Sequence, residues 1–150
     1  MNGAPGGAGA DGRTLASAFV KYWLPAIAYV GLIFSLSSIH GQDIPGNIPY
    51  LDKVAHLLEY SLLGLLLGRA IRFTMTGKGK AAAAGATMLL GAAVGAADEF
   101  YQRGVPGRSS DVRDWLTDVT AIALSVLFTQ WVSTRALRRG AARAEQEGNR

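Results

Sequence analysis

The sequence predicts an all-α, polytopic membrane protein, with four transmembrane helices in a small bundle and both termini cytoplasmic. Three observations point there. Of its 150 residues, 49% are hydrophobic and only 17% are charged, against about 25% charged in an ordinary soluble domain. The charges are clumped, so that whole stretches carry none. The basic residues sit in short runs between the apolar segments, where Lys and Arg set membrane orientation. They do not form a stripe interleaved with stacking aromatics, the footprint of nucleic-acid binding. The net charge of +4 is therefore a topology signal, and no nucleic-acid partner is expected. The chain has no cysteine, which excludes a disulfide framework, a cysteine zinc site and a thiol nucleophile.

Residues 1–13 are rich in Gly and Ala and read as a disordered tail. The membrane domain is expected over 14–137. From Tyr22 to Gln42 no side chain is charged, and about 20 helical residues cross a hydrocarbon core. Lys21, Tyr22 and Trp23 form an interfacial anchor at the start of this first helix, and Pro25 is expected in its first turns. A cleavable signal peptide is the competing reading. Ser37-Ser38-Ile39-His40 makes a poor cleavage site and more apolar segments follow, so a retained helix is expected. Residues 40–51 hold two prolines, two glycines and an asparagine and read as a loop. The second helix is expected to start with Asp52 as its N-cap and to run to Arg69 or Phe73. Residues 74–80 form a short basic loop. The third helix, 81–102, is built from Ala and Gly, with Gly85, Gly91 and Gly95. Small residues let helix backbones approach closely in lipid, so this helix is expected to be central. The fourth helix is expected from about Ser110 to Leu137, capped by Ser109 or Ser110. Residues 138–150 read as a charged cytoplasmic tail. The apolar runs of helices two to four reach spanning length only with their charged ends included, which places those ends in the shelter of protein.

Orientation follows from the connections. The 69–80 segment carries Arg69, Arg72, Lys78 and Lys80 with no acid, and the C-terminal tail and the N-terminal flank are also basic. These regions are expected inside. The 40–53 and 98–114 connections are balanced or acidic and are expected outside. Three polar clusters thereby meet at one end of the bundle. On helix two, Asp52, His56, Glu59 and Tyr60 share a face, with His56 four residues after Asp52 and Glu59 and Tyr60 three and four after His56. On helix four, Asp111, Asp114 and Asp118 do the same. Asp98, Glu99 and Gln102 end helix three, and Asp98 and Gln102 are an i,i+4 pair. Glu59 and Asp118 each sit roughly 10 Å into their helices at 1.5 Å per residue. A charge at such depth costs about 2.5–3.5 kcal/mol on insertion scales, so these groups turn inward and pair. Arg103, Arg108, Arg113 and Lys53 are the available cations.

An imidazole exchanges protons near neutral pH, so His56 could shuttle a proton with Glu59 or Asp52, and His56, Glu59 and Asp98 are the catalytic candidates. A structural ion-pair clamp is the plain alternative. The acids are numerous enough for a hard cation, but no paired E-x-x-H motif occurs and a single histidine argues against zinc or iron; no metal or other cofactor is expected. Arg108, presented by the Val105-Pro106-Gly107 turn, can fork onto phosphate or carboxylate. Trp115 is expected as an interfacial anchor or, secondarily, a sugar-stacking platform.

The blocks D-K-V-A-H-L-L-E-Y at 52–60 and D-E-F-Y-Q-R-G-V-P-G-R-S-S-D-V-R-D-W-L-T-D at 98–118 resemble the two signature blocks of the VanZ-like membrane proteins. Ser35–Ser38 is similar to the serine pair ending that family's first helix. The resemblance assigns Asp52, Lys53, His56 and Tyr60 to the first block, and Asp98, Glu99, Gln102, Pro106, Gly107, Arg108, Asp111 and Asp118 to the second. Tyr101 departs from the pattern where a histidine is common, and Ala121 stands where glycine is frequent, a change expected to loosen helix packing. The family is named for a factor giving low-level resistance to the glycopeptide teicoplanin. The resemblance implies a multi-pass protein of the bacterial cytoplasmic membrane.

The reading of the residues is an outward-facing polar pocket for an anionic cell-envelope lipid or glycan headgroup. Asp52, Lys53, His56, Tyr60, Asp98, Glu99, Gln102, Arg108, Asp111 and Asp118 are its expected ligand-binding residues. Membrane lipids, a cell-envelope precursor or a glycopeptide are the expected partners, with oligomerisation open. An intramembrane enzyme on such a lipid and a structural or partner-binding module are the alternatives.

Overall fold

The structure, a computed structural model, describes residues 8–40 and 51–148. Among them the regular elements are four helices: α1 (Ala8–Ser37), α2 (Leu51–Thr74), α3 (Lys80–Gln102) and α4 (Val112–Gly148). Each holds a segment long and apolar enough to cross a membrane, the first over Ala16–Ser37. At about 1.5 Å per residue, α2 and α3 are each roughly 35 Å long, enough for a hydrocarbon core of about 30 Å.

Several boundaries differ from those the sequence suggests. α1 already runs from Ala8, inside the segment read as a tail, and residues 1–7 lie outside the described ones. Pro25 is therefore well inside α1 rather than in its first turns, where it leaves the Lys21 carbonyl without its helical partner. Residues 41–50 of the expected loop also lie outside the described residues. α2 opens at Leu51, so Asp52 is in its first turn and is not its N-cap. α4 begins two residues after the expected serines and continues to Gly148 through the segment read as a tail. Arg, Ala, Glu and Gln dominate residues 138–147, and all are strong helix formers, so the ladder propagates past the apolar run.

Two turns join α2 to α3 and α3 to α4 on similar principles. Lys78 N–H donates to Met75 O at 2.9 Å, with Gly77 at φ 89°. Arg108 N–H donates to Val105 O at 3.1 Å, with Pro106 second and Gly107 third at φ 76°. Proline second and a positive-φ glycine third is the residue pattern of a type II turn.

α2 lies at the centre: it touches all three other helices, and its contact with α4 is the most extensive in the molecule. α3 also touches all three, and among the described residues α1 rests on α2 and α3 without reaching α4. The core along this seam comprises Ile33, Tyr60, Leu63, Leu67, Ala121 and Ile122. Ala121 is fully buried, so the methyl group at this position is accommodated in the packing. Gly64 carries the α2–α4 approach, because a Cβ there would lie 2.9 Å from Ser125 Cβ and 3.2 Å from Ile122 Cα. Gly91 and Gly95 do the same for α3 against Ile122 and Asp118, whereas Gly85 faces open space. Large apolar side chains such as Leu58, Leu62, Leu89, Leu127 and Phe128 point outward, as they do on a bundle whose solvent is lipid.

Candidate functional site

The two ends of the bundle differ chemically. At one end Tyr22 stacks on Phe73 with Arg69 over its ring, and Trp23 Nε1 donates to Thr74 Oγ1 at 2.8 Å. At the other end all four helices contribute polar side chains to one network. Buried there are Ser37, His56, Asp98, Glu99, Gln102, Asp114 and Asp118.

The network is built from cross-helix pairs. His56 Nδ1 of α2 and Asp118 Oδ1 of α4 are 2.8 Å apart and both buried. One turn along α2, Tyr60 OH donates to Asp98 Oδ2 of α3 at 3.3 Å. Gln102 Nε2 donates to the same Asp98 oxygen at 3.2 Å and to Ser37 Oγ of α1 at 3.3 Å. Tyr101 shares a hydrogen bond of 2.8 Å with Ser38 Oγ, a second link from α3 to α1. Lys53 pairs with Asp114 and lies 3.8 Å from Asp52. Spacing explains the set: positions 56 and 60, 98 and 102, and 114 and 118 are each i,i+4 pairs on the inward face of a helix.

Glu99 ties the network to the start of α4. Its Oε2 accepts the Asp111 N–H at 2.9 Å, and Asp111 Oδ1 in turn accepts the Arg113 N–H at 2.9 Å. Asp111 is thus the N-cap of α4, in place of the expected serines, and its carbonyl accepts the first helical bonds from Asp114 and Trp115. Between the ends of α3 and α4 opens a cleft of about 220 Å³, lined by Glu99, Phe100, Arg103, Ser110, Asp111 and Trp115. Trp115 Nε1 donates to Ala92 O at 3.0 Å, so its indole is fixed to α3 as one wall of the cleft.

The residues read from the sequence divide accordingly. His56, Tyr60, Asp98, Glu99, Gln102, Asp111 and Asp118 come together. Lys53 lies beside them through Asp114. Asp52 is exposed, and Glu59 is half-buried with no hydrogen bond or ion pair among the described residues. Arg108 turns to α1, donating from Nε to Ile39 O at 3.2 Å and from a terminal nitrogen to Leu36 O at 3.4 Å. Arg103 lies over the Phe100 ring, 5.7 Å from its centroid, at the cleft. Phe100 and Ser110 stand within the 98–118 block, but nothing in the sequence marks them as walls of a cleft; only the meeting of two helix ends identifies them as such. Ser37 as a partner of Gln102 has a faint signal, the serine pair at the end of the first apolar run.

Three carboxylate oxygens in the network are buried without a hydrogen-bond partner: Asp98 Oδ1, Glu99 Oε1 and Asp118 Oδ2. Such atoms are costly, about 1–3 kcal/mol each and more when charged, so the end of the bundle is not a closed clamp of satisfied pairs.

The family model described as VanZ/LLP1 matches residues 14–133. No curated protein and no solved structure matches the chain.

Proposed function

The chain belongs to the VanZ-like family, and from that premise we propose that this membrane protein binds the anionic headgroup of a cell-envelope lipid or glycan precursor in the cleft between α3 and α4. The observation that carries this reading is the composition of the cleft. It opens at the polar end of four membrane-spanning-capable helices and combines the Arg103 cation, the Ser110 hydroxyl and two aromatic walls with the carboxylates of Glu99 and Asp111. Arg103 is the cationic contact, because Arg108 and Lys53 already have partners within the chain. Phe100, 71% exposed at the rim, contacts the apolar part of the lipid below the headgroup. Tolerance to teicoplanin, the trait behind the family's name, is the cellular consequence that belongs to this reading.

Trp115 provides the readout. The detergent-solubilised chain, titrated with a short-chain phosphatidylglycerol, should show a saturable change in fluorescence that Trp115→Phe removes. Arg103→Ala should weaken binding about tenfold, the worth of one charge-assisted hydrogen bond, and the zwitterionic phosphatidylcholine should bind more weakly. Equal affinity of the wild type and Arg103→Ala would refute the cleft as the headgroup site.

The His56–Asp118 pair supports a second reading, an intramembrane enzyme acting on the same lipid. A histidine oriented by a buried carboxylate is the arrangement of a general base. Turnover abolished by His56→Gln, with Arg103→Ala raising mainly KM, would select this reading over binding alone.

A further inference from the structure

We propose that His56, Glu99 and Asp118 form a binding site for one divalent metal ion of the Mn²⁺ type. The three residues come from α2, α3 and α4, all are buried, and one ligand atom from each lies within 4.8 Å of those of the other two. Metal–ligand bonds of about 2.0–2.2 Å hold ligand atoms on one ion roughly 3–3.5 Å apart. From that 4.8 Å limit a contraction of roughly 1.3–1.8 Å closes the cluster, within the reach of side-chain rotation.

Hydrogen bonding separates this cluster from an ordinary ion-pair clamp. Each carboxylate is held by one oxygen and leaves the other without a partner. Asp118 uses Oδ1 on His56 and leaves Oδ2; Glu99 uses Oε2 on the Asp111 N–H and leaves Oε1. Both free oxygens are buried, on residues 0% and 5% exposed. Glu99 is thereby fixed through one oxygen by a backbone N–H outside the cluster, the outer support that metal ligands require, while Asp118 is oriented by His56, itself a member of the cluster. The glycine at position 95 lets Asp118 pack directly against α3, since a Cβ there would lie 3.0 Å from Asp118 Oδ2.

Charge gives the same answer. Asp98, Glu99 and Asp118 are three buried acids, and His56 alone stands among them as a possible cation. Lys53 is paired with Asp114, and Arg108 is spent on the carbonyls of α1. Burying carboxylates without counter-charge is costly, a deficit that a divalent cation removes. One imidazole nitrogen with two carboxylates suits Mn²⁺ among the first-row ions, since Ca²⁺ and Mg²⁺ favour all-oxygen shells and Zn²⁺ sites are usually richer in histidine or cysteine. Glu99 also lines the cleft, which gives the ion a way in. The site stands whether or not that cleft takes a headgroup.

The test is Mn²⁺ binding to the full-length chain in detergent, without added lipid, by electron paramagnetic resonance, with Zn²⁺ competition as a second arm. The expected result is one bound ion per chain with a ¹⁴N modulation from imidazole. His56→Gln removes that modulation, and His40→Gln, at the only other histidine, leaves it intact. Glu99→Gln and Asp118→Asn each lower affinity by about 100-fold or more, since loss of an outer-shell partner alone costs about 10–100-fold. Should those variants fail to fold, the ¹⁴N signature of the wild type with the His40→Gln control still decides. Absence of stoichiometric binding of either ion, absence of the nitrogen signature, or wild-type affinity in folded Asp118→Asn overturns the proposal.

Discussion

At position 95 the presence of a single methyl group decides how the buried end of the bundle packs. A Cβ on Gly95 would lie 3.0 Å from Asp118 Oδ2, 3.3 Å from Asp118 Cβ and 3.4 Å from Trp115 Cδ1. Gly95→Ala must therefore push Asp118 away from α3, straining its bond to His56. The expected cost is about 1–3 kcal/mol, the usual penalty of overpacking, read as a lower midpoint of thermal unfolding in detergent. Gly85→Ala meets nothing within 4 Å and should be neutral or stabilising by up to about 1 kcal/mol, as for glycine replaced in an exposed helix. Equal stability of the two variants would contradict this packing. The sequence makes all three glycines of α3 visible as small residues but does not rank them until their angles are followed. Positions 91 and 95 differ by about 40° around a helix at 3.6 residues per turn, whereas 85 and 95 are about 80° apart. The partners of the acids were less legible. Asp98, Glu99 and Asp118 stand out as ionisable groups in an apolar chain, but their hydrogen bonds cross between helices, and no spacing within one helix encodes which oxygen remains free.

Among the elements, the turn after α3 has a structural role that its sequence disguises. An arginine behind Pro106-Gly107 looks presented to a ligand. Instead it hydrogen-bonds Leu36 O, which also accepts the Ile39 N–H at 3.1 Å, and Ile39 O just past the C-terminal end of α1, where a cation is favoured by the helix dipole. Arg108→Ala should therefore loosen this end of α1, costing about 1–2 kcal/mol and speeding hydrogen exchange at the amides of residues 36–40. Headgroup affinity should change less than in Arg103→Ala. Arg108→Lys should recover only part of the protection, because an ammonium lacks the planar fork that reaches two carbonyls. Reversing the charges of Asp98 and Arg108 together should not rescue either single change, since they are not partners: Asp98 binds Tyr60 and Gln102. Rescue by that double change would show a direct coupling of the two. Helix existence was legible throughout from apolar length. Ends were less so, because Asp111 competes with two serines for the cap and because the charged residues after Leu137 are themselves good helix formers.

For the whole molecule, the segregation of charge predicts how the bundle sits in a membrane. Arg72 donates to Ser133 Oγ at 3.3 Å, which brings the basic turn between α2 and α3 to the same end as the arginine-rich stretch of α4. Lys21 and Arg69 flank the Tyr22 ring at that end too. The acid network lies at the opposite end of the same helices. Positively charged flanks are retained on the cytoplasmic side, so the cleft and the proposed metal cluster are expected to open outward. The absence of native cysteine makes this directly measurable with single introduced thiols at exposed positions, Thr76→Cys in the basic turn and Ser109→Cys beyond the Pro-Gly turn. In intact cells a membrane-impermeant maleimide should label Ser109→Cys alone, and Thr76→Cys should react only after the membrane is opened. The reverse pattern would turn the cleft toward the cytoplasm. Its accessible lipids would then be those of the inner leaflet, and its metal supply that of the cytosol, which makes sidedness the measurement on which the choice of headgroup depends.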